Sequence, residues 1–264
     1  SDIKTREVPD WLSYTLIIIG LSSALISSVS LNTFSFIIQS LFTFGVFFLL
    51  GSLMYYTKQW GGGDVKLLMG IAAVFPVYPQ ELLTYFAPNI NLPFILILIL
   101  NILIFGALYS IVYSIYLLIR NKVNFMNEVK KYKINKAYFI SVILFFVIMF
   151  FVNDLILKLL LLSLSLIILL IPIMLTYAKV VEKNCMYKKI NVNKLTEGDW
   201  ITESIYHKGK LIYNKNSPGV TKQEISIIKR IKQNVIVKEG IPFIPAFLIA
   251  FLVTIIIGNL FMGF

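Results

Sequence analysis

The chain has 264 residues, of which 58% are hydrophobic and only 14% are charged, whereas an average soluble domain carries roughly 25% charged residues. This composition excludes an ordinary soluble enzyme and predicts an all-α polytopic membrane protein. The net charge of +11 then reflects basic cytoplasmic loops and not nucleic-acid binding. Cys185 and His207 are the single cysteine and the single histidine. This excludes a disulfide within the chain, a tetracysteine zinc site and a histidine-rich metal site, so neither a metal nor another cofactor is expected.

Seven apolar segments follow one another, and most approach the roughly 20 residues that cross a bilayer core. The third is the shortest and reaches a usable length only if it begins at the glycines of residues 61–63 and extends to Tyr78. Because the chain begins with Ser1 and not with Met, we expect that its first residue is not the native start. The predicted segments are Trp11–Val29, Thr33–Tyr56, Val65–Val77, Pro93–Ile119, Ala137–Val152, Ile156–Ala178 and Ile241–Phe261.

The loops between these segments alternate between basic loops and loops without lysine or arginine. The basic loops are residues 1–10, 57–63, 120–136 and 179–240. The loops without lysine or arginine are residues 30–32, 78–92 and 153–155. The positive-inside rule places the basic loops in the cytoplasm, and Trp11 and Trp60 are then expected at the cytoplasmic membrane interface.

Asn153, Asp154 and Lys158 interrupt a long apolar run between the fifth and sixth segments. We interpret the interruption as a tight turn at the membrane surface. Asp154 and Lys158 are spaced to pair along one helix. An interfacial ion pair is favoured here over a buried functional charge.

Residues 179–240 are the only sizeable soluble region and predict a small α+β cytoplasmic insert. Two short strands are expected on either side of the Lys208-Gly209 turn. Thr221 and Glu224 form a capping-box pattern for a helix over residues 221–232, and residues 233–240 predict a third strand. The basic excess of the insert favours either binding of anionic lipid or a solvated face that fixes topology. We expect no catalytic role for His207 or Cys185.

The stretch QWGGGDVKLLMG, residues 59–70, places three glycines and Asp64 before an apolar segment. Glycine adopts backbone torsions that are closed to other residues and lets neighbouring chains approach closely. A carboxylate is also favoured at a helix N-terminus by the free N–H groups there. Asp64 is therefore either a helix cap or a functional carboxylate, and this stretch alone does not decide between them.

A second acidic cluster, SDIKTREVPDWL at residues 1–12, lies on the same predicted side of the membrane. Asp10 follows Pro9 and precedes an apolar segment, so a helix-capping role is favoured for it. Asp2 has no such local explanation, and Glu7 lies between the two. Two carboxylates a few ångström apart share one proton, so that one acts as base and the other as acid. Such a pair activates water against a peptide carbonyl without a metal or a serine triad.

These two segments resemble the signature motifs of the type IV prepilin and archaeal preflagellin peptidases, which are GxGD aspartic membrane proteases. The first family motif begins with Asp and ends in an aliphatic residue, Pro and Asp or Asn, and it matches Asp2, Val8, Pro9 and Asp10. The second motif is Gly-x-Gly-Asp with Lys two residues later, and it matches Gly61, Gly63, Asp64 and Lys66. The resemblance is best over residues 1–80. The family also has a transmembrane helix that ends at the first Asp, so the resemblance implies that an eighth transmembrane helix is missing at the N-terminus.

The resemblance implies that Asp2 and Asp64 are the catalytic aspartates and that Gly61, Gly63, Lys66, Glu7 and Asp10 support substrate binding or the site. It implies an endopeptidase of the cell membrane that cuts pilin-like or archaellin precursors at the cytoplasmic border, between a basic leader and an apolar helix. Because the precursor leader is basic, local acids such as Glu7, Asp10 or Glu128 are needed to attract it. We divide the chain into a transmembrane catalytic core (1–178), the insert (179–240) and a C-terminal transmembrane helix (241–264).

Two other classes of protein remain as alternatives. Signal-peptide-peptidase or presenilin-like proteases place their aspartates inside helices, and Ile244–Ala246 is a poor match to the third motif of those enzymes. A transporter or structural membrane subunit is expected to carry a charged or broken helix at mid-bilayer depth, and the sequence contains no such segment. The depth of Asp64 in the membrane would separate all three.

Overall fold

The computed structural model describes residues 8–57, 59–133 and 135–260. The structure is mostly helical, at 66% of residues, with a small region of β-sheet. It divides into two compact units, which are described separately below. The first unit contains the residues up to Tyr113 and those from Lys189 onward, and the second unit contains Ser114–Lys188. The predicted three-part division rests on membrane topology and stays a prediction.

The apolar segments form helices whose ends lie within a few residues of the predicted ends. Among the described residues, α1, α2, α4 and α7 are long and apolar enough to cross a membrane, whereas α6 and α9 are shorter apolar helices. The prediction of a multi-pass membrane protein is therefore supported, but the count of seven spans is not confirmed. The helices are α1 Asp10–Ser30, α2 Ser35–Tyr56, α3 Gly62–Val74, α4 Phe94–Arg120, α5 Phe125–Val129, α6 Ala137–Phe151, α7 Leu155–Val181, α8 Lys222–Ile231 and α9 Ile244–Ile256.

Helix α3 has only 13 residues and does not extend to Tyr78 as expected. Pro76 follows the helix, and the residue before a proline is disfavoured in helical torsions; Phe75 accordingly has φ −120° and ψ 68°. Two hydroxyls of α2 bind carbonyls at the end of α3. Ser40 Oγ donates to the Ala73 carbonyl at 2.7 Å and Thr43 Oγ1 donates to the Ala72 carbonyl at 2.8 Å. These bonds are buried and satisfy two carbonyls that a helix end leaves without a helical partner.

Helices α1 and α3 pack closely because glycines lie where they meet. A Cβ atom added at Gly20 of α1 would lie 2.6 Å from the carbonyl carbon of Ala73, a backbone atom that cannot move aside. A Cβ added at Gly70 of α3 would lie 2.8 Å from the Cβ of Leu16. The first unit therefore holds α3 between α1 on one side and the hydroxyl-bearing face of α2 on the other.

At the end of α3 remote from Asp64, a buried polar network joins α4, α9 and the loop after α3. Asn101 donates from Nδ2 to Thr254 Oγ1 at 2.9 Å and to the Gly258 carbonyl at 3.1 Å. The Tyr78 hydroxyl donates to the Thr254 carbonyl. Gly258 has φ +81°, and its backbone contacts Asn89 too closely for any side chain. Buried polar groups paired in this way hold the connecting loop to the C-terminal helix.

In the second unit, α6 ends at Phe151 and α7 begins at Leu155, which confirms the predicted turn. Asp154 caps α7, since its Oδ1 accepts a hydrogen bond from the Leu157 N–H at 2.8 Å. Glu128, predicted as a possible attractant for a basic leader, instead forms an ion pair with Lys131. The hydrogen bond from Lys131 lowers the pKa of Glu128 below its usual value, so its charge is engaged locally.

The insert contains five strands and the helix α8. Its strands are β1 Tyr187–Asn191, β2 Trp200–Ile201, β3 Ile205–His207, β4 Lys210–Tyr213 and β5 Asn234–Lys238. Strand β5 lies between β1 and β2, while β3 and β4 form a separate antiparallel hairpin. The capping box is confirmed, since Thr221 Oγ1 accepts from the Glu224 N–H and the Glu224 carboxylate accepts from the Thr221 N–H. The predicted turn at Lys208-Gly209 and the strand near residues 233–240 are also confirmed, whereas β1 was not predicted.

The insert has its own apolar core, formed by α8 and the faces of both sheets. Ile201, Ile205, Tyr213, Ile228 and Val235 are almost completely buried there. Burial of the phenol raises the pKa of Tyr213. The strands and α8 therefore form a small folded body, as the sequence predicted for this region.

Candidate active site

Asp64 lies in the first turn of α3, at its third residue and not at the N-cap. Gly61 is the N-cap, and its N–H donates to Asp64 Oδ2 at 3.1 Å. Since Gly61 has no side chain, this bond from the backbone to the carboxylate is the only half of a capping box that can form. The N-terminus of α3 carries partial positive charge, which favours a negative group at this position. The glycine stretch thus orients the carboxylate at the start of the helix.

The glycines before Asp64 allow close approach and do not supply unusual torsions. Gly61 has φ −72° and ψ 156°, an extended conformation open to any residue, and Gly62 and Gly63 are helical. A Cβ added at Gly63 would lie 3.0 Å from both Cβ and Cγ2 of Val8, tighter than ordinary contacts. At Gly62 the added Cβ would lie 3.6 Å from Tyr55, an ordinary contact. The expectation of torsional freedom is therefore wrong here, and close packing explains Gly63.

Val8 belongs to the first motif, so its contact with Gly63 joins the two motifs. A second contact joins the first residue of α1 to the next turn of α3, where Lys66 Nζ is 2.7 Å from Asp10 Oδ1. Lys66 also lies over the ring of Tyr14, with Nζ 5.4 Å from the ring centre. Residues that are more than fifty positions apart in the sequence are thus brought together at one end of α1 and α3.

Asp10 is the first residue of α1, and Pro9 is the N-cap. The prediction that Asp10 caps its own helix is wrong, because its carboxylate is directed to Lys66 and makes no capping hydrogen bond. A proline at the N-cap cannot cap through a side chain, and the carboxylate of the next residue pairs with the lysine of the second motif. Asp2 and Glu7 lie outside the described residues, so the pairing of Asp2 with Asp64 stays a prediction.

Trp60 immediately precedes the glycines and is only 7% exposed. Its ring packs edge-on against Phe247 of α9, with ring centres 5.3 Å apart, and lies 6.2 Å from the ring of Phe243. Trp60 is therefore anchored in the core of the first unit, whereas Trp11 is 68% exposed. The position of both indoles at the membrane interface stays a prediction. Phe243 and Phe247 are four residues apart, which predicts that they lie on the same face of a helix. The sequence does not indicate which residues that face covers.

An apolar cavity lies beside Trp60. One part has a volume of about 210 Å³ and is bordered by Trp60, Phe243 and Gly106, with Gln59 and Ser110 as the polar residues of its lining. A neighbouring part of about 180 Å³ is lined only by apolar residues and shares Met54 and Trp60 with the first. A Cβ added at Gly106 would lie 2.9 Å from the Phe243 ring, so this glycine makes room for the aromatic wall. The sequence does not indicate this cavity, because its lining combines residues of α2, residues of α4 and the start of α9.

No three carboxylate, histidine or cysteine side chains lie together in a way that could hold a metal ion among residues 8–57, 59–133 and 135–260. The expected absence of a metal in the whole chain stays a prediction.

The Lys66–Asp10 pair provides a first test of how the motifs are held together. Because the two side chains are 33% and 62% exposed, we expect a coupling energy of about 0.2–1 kcal/mol, as for other exposed ion pairs. The measurement is a double-mutant cycle on thermal unfolding in detergent with Lys66→Met, Asp10→Asn and the double variant. A coupling energy above about 3 kcal/mol, the range of buried pairs, would mean that the pair is shielded from water.

The first 111 residues match the sequence profile of the type IV leader peptidase family. A relative from Methanococcus maripaludis, named preflagellin peptidase, is 29% identical over 123 residues, which are 47% of this chain and 53% of the relative. A preflagellin peptidase from Methanococcus voltae is 31% identical over 142 residues, or 54% of this chain and 59% of the relative. A prepilin peptidase from Methanothermobacter thermautotrophicus is 30% identical over 137 residues, which are 48% of this chain and 34% of the relative. No solved structure matches the chain.

The chain thus spans about half the length of the two preflagellin peptidases, and the match to the family profile covers both motifs. The profile and the named relatives confirm the resemblance that the motifs indicated. Residues 1–111 of this chain therefore match the type IV leader peptidase family.

Proposed function

We propose that this chain is an aspartic endopeptidase that removes the leader from prepilin-like or preflagellin-like precursors at the membrane border. The observation that carries the proposal is the double contact between the motifs, Val8 with Gly63 and Asp10 with Lys66. These contacts fix the end of the first motif beside the helix that carries Asp64. The names of the relatives, preflagellin peptidase and prepilin peptidase, support the substrate class.

In the proposed mechanism Asp2 and Asp64 share one proton. The ionised carboxylate takes a proton from water while the water oxygen bonds to the carbonyl carbon of the scissile peptide. The protonated carboxyl donates a hydrogen bond to the carbonyl oxygen, and its proton passes to the amide nitrogen as the C–N bond breaks. Asp2 is six residues from Val8, a chain length of at most about 20 Å, so the contact of Val8 with Gly63 leaves Asp2 within reach of Asp64.

The apolar cavity beside Trp60 supports a substrate with an apolar segment next to the scissile bond. Trp60 precedes Gly61, and Gly61 bonds to the Asp64 carboxylate, so the cavity wall and the proposed catalytic group belong to one short stretch. We propose that apolar side chains following the cleavage point enter this cavity. The anchoring of Trp60 by Phe247 keeps the wall in place during cleavage.

The position of Asp64 favours this function over an intramembrane protease of the presenilin type. Asp64 is the third residue of α3 and follows a glycine stretch, whereas the alternative requires an aspartate inside a transmembrane helix. Pro172 lies inside α7, where a transporter could have a broken helix, but α7 continues without a break from Leu155 to Val181.

The function is tested by co-expressing the chain with precursors that carry a basic leader before an apolar helix. We expect leader loss, seen as a gel-mobility shift, with the new N-terminus at the leader–helix border. The matched control precursor carries a substitution at the cleavage point. Processing that persists when the chain is omitted, or no cleavage of any such precursor by folded chain, would refute the proposal.

The aspartic mechanism is tested by adding EDTA, which should leave the activity unchanged. Loss of activity in EDTA that zinc restores would refute the aspartic mechanism.

The proposed orientation places the active site on the cytoplasmic side, as the basic loops indicate. In a Cys185→Ala background we expect Lys130→Cys and Lys208→Cys to react with a membrane-impermeant thiol reagent only after the cytoplasmic face is opened. Tyr85→Cys, in the loop without basic residues, should react from outside. Both lysines and Tyr85 are exposed, so reactivity depends on the side of the membrane. Labelling of residue 208 from outside would contradict the orientation.

A further inference from the structure

The tip of the β3–β4 hairpin, residues 206–211, is the most continuous exposed strip of the insert. All six residues are exposed. They include two large apolar side chains, Tyr206 at 64% and Leu211 at 44% exposure. In contrast, Ile205 and Tyr213 at the base of the hairpin are 1% and 0% exposed. The hairpin is therefore anchored in the core of the insert and extends an apolar tip into its surroundings.

The register of the strands sorts the tip into two faces. Tyr206 is paired with Leu211, and His207 is paired with Lys210. Directly opposed residues lie on one face of an antiparallel pair, and adjacent residues alternate between faces. Tyr206 and Leu211 thus form one apolar patch, while His207 and Lys210 lie on the opposite face. No further strand pairs with β3 or β4 within the part of the chain that the structure describes.

The turn adds positive charge at the end of the hairpin. Lys208 and Gly209 both have positive φ, at +48° and +77°, as a two-residue type I′ turn requires. Residues 204–215 contain three lysines and no acidic residue. The neighbouring Glu203 is paired with Lys232 at 2.7 Å. Lys208 and Lys210 form no ion pair with any other residue in the described ranges, so their charge is available to an external anion.

The connection to α9 holds the insert, which carries the hairpin, near a bilayer. Strand β5 ends at Lys238 and the apolar helix α9 begins at Ile244. These two residues are six positions apart, so the distance between them is at most about 20 Å. A tyrosine paired with an aliphatic side chain suits the headgroup level of a bilayer, since the ring is apolar and its hydroxyl remains in contact with water. Adjacent lysines contribute attraction to anionic lipid.

From these observations we propose that the hairpin tip, residues 206–211, docks on the anionic lipid surface of the membrane that holds this chain. Tyr206 and Leu211 enter the headgroup region, and Lys208 and Lys210 contact lipid phosphates. Charge disfavours the two other occupants. A basic leader peptide is repelled by the lysines, and a second copy of the tip would bring like charges together. Docking would fix the position of the insert above the membrane, independently of the proposed peptidase activity.

The test uses the full chain with Cys185→Ala and Leu211→Cys, labelled with an environment-sensitive fluorophore and reconstituted in vesicles. We expect quenching by headgroup spin-labelled lipid in vesicles that contain phosphatidylglycerol, and little quenching in phosphatidylcholine alone. Lys208→Gln and Lys210→Gln should each weaken the docking equilibrium by about fivefold. The matched control carries the label at Lys222→Cys, an exposed position on α8, and should show little quenching in either lipid.

Limited trypsin digestion provides a second measurement that needs no label. Cleavage after Lys208 and Lys210 should be slower in anionic vesicles than in neutral vesicles, while cleavage after Lys222 should change little. Equal quenching and equal cleavage in both lipids would overturn the proposal. Label at residue 211 that cross-links to a second copy or to a precursor, with no dependence on lipid charge, would also overturn it.

Discussion

Asp64→Asn is expected to abolish leader removal, with a loss in initial rate on the order of a thousandfold or more. General acid–base catalysis by a positioned group contributes about 10²–10⁴-fold, and the asparagine can neither accept nor deliver the proton. The asparagine keeps the size of the side chain, and its amide oxygen still accepts the Gly61 N–H bond seen for Oδ2, so the start of α3 should stay folded. The measurement is cleavage rate at equal amounts of folded, membrane-inserted protein.

The same loss is expected for Asp2→Asn, because a shared proton requires both carboxylates. Asp10→Asn is the matched control, since Asp10 lies in the same motif but its carboxylate pairs with Lys66. This variant should retain substantial activity. If Asp10→Asn is inactive while Asp2→Asn is active, the assignment of the catalytic pair is wrong.

Gly63→Val is expected to lower the cleavage rate about a hundredfold with a smaller effect on folding. Even the first atom of the new side chain would lie 3.0 Å from two carbons of Val8, so the first motif must move away from α3. A displacement of about 1 Å in a catalytic group can reduce a rate about a hundredfold. Gly63→Ala should lower the rate by an intermediate amount. Adding Val8→Ala to Gly63→Ala should partly restore the cleavage rate, because it removes Cγ2 of Val8.

Gly62→Ala is the control, because its added Cβ would make only an ordinary contact with Tyr55, at 3.6 Å. Its rate should stay close to that of the wild type. If Gly63→Val also cleaves at the wild-type rate, the packing of Val8 on Gly63 does not position the catalytic groups, and the argument from this contact fails.

The local features of this fold could be predicted from sequence because each depends on neighbours in the chain. The apolar runs gave helix positions to within a few residues, Thr221 and Glu224 marked the start of α8, and Lys208-Gly209 marked a hairpin. Asp10 shows the limit of such reasoning. A carboxylate after a proline and before an apolar run has the pattern of a cap, yet its partner is Lys66, which only the packing of α1 on α3 brings near.

The same limit applies to the surroundings of Asp64. The motif identified Gly63 but not its contact with Val8, and the sequence did not indicate that Trp60 is buried against α9. The length of α3 was overestimated because hydrophobicity continues beyond the helix, while Pro76 and the hydroxyls of Ser40 and Thr43 determine where it ends. Apart from the effect of Pro76, each of these outcomes depends on residues distant in the chain, and the hydrophobic periodicity of one segment carries no information about them.

The hydroxyl groups that bind the C-terminal end of α3 fix the position of this helix along its axis, and with it the position of Asp64. Ala73 is nine residues from Asp64, which is about 13–14 Å along a helix. If α3 slid along its axis, the Ala72 and Ala73 carbonyls would leave the Ser40 and Thr43 hydroxyls and become unsatisfied in an apolar interior. The depth of the carboxylate is therefore set from the opposite end of its helix. If the chain has the proposed peptidase activity, that depth would select which peptide bond reaches Asp64, and two buried hydroxyls far from the chemistry would help to determine the cleavage point.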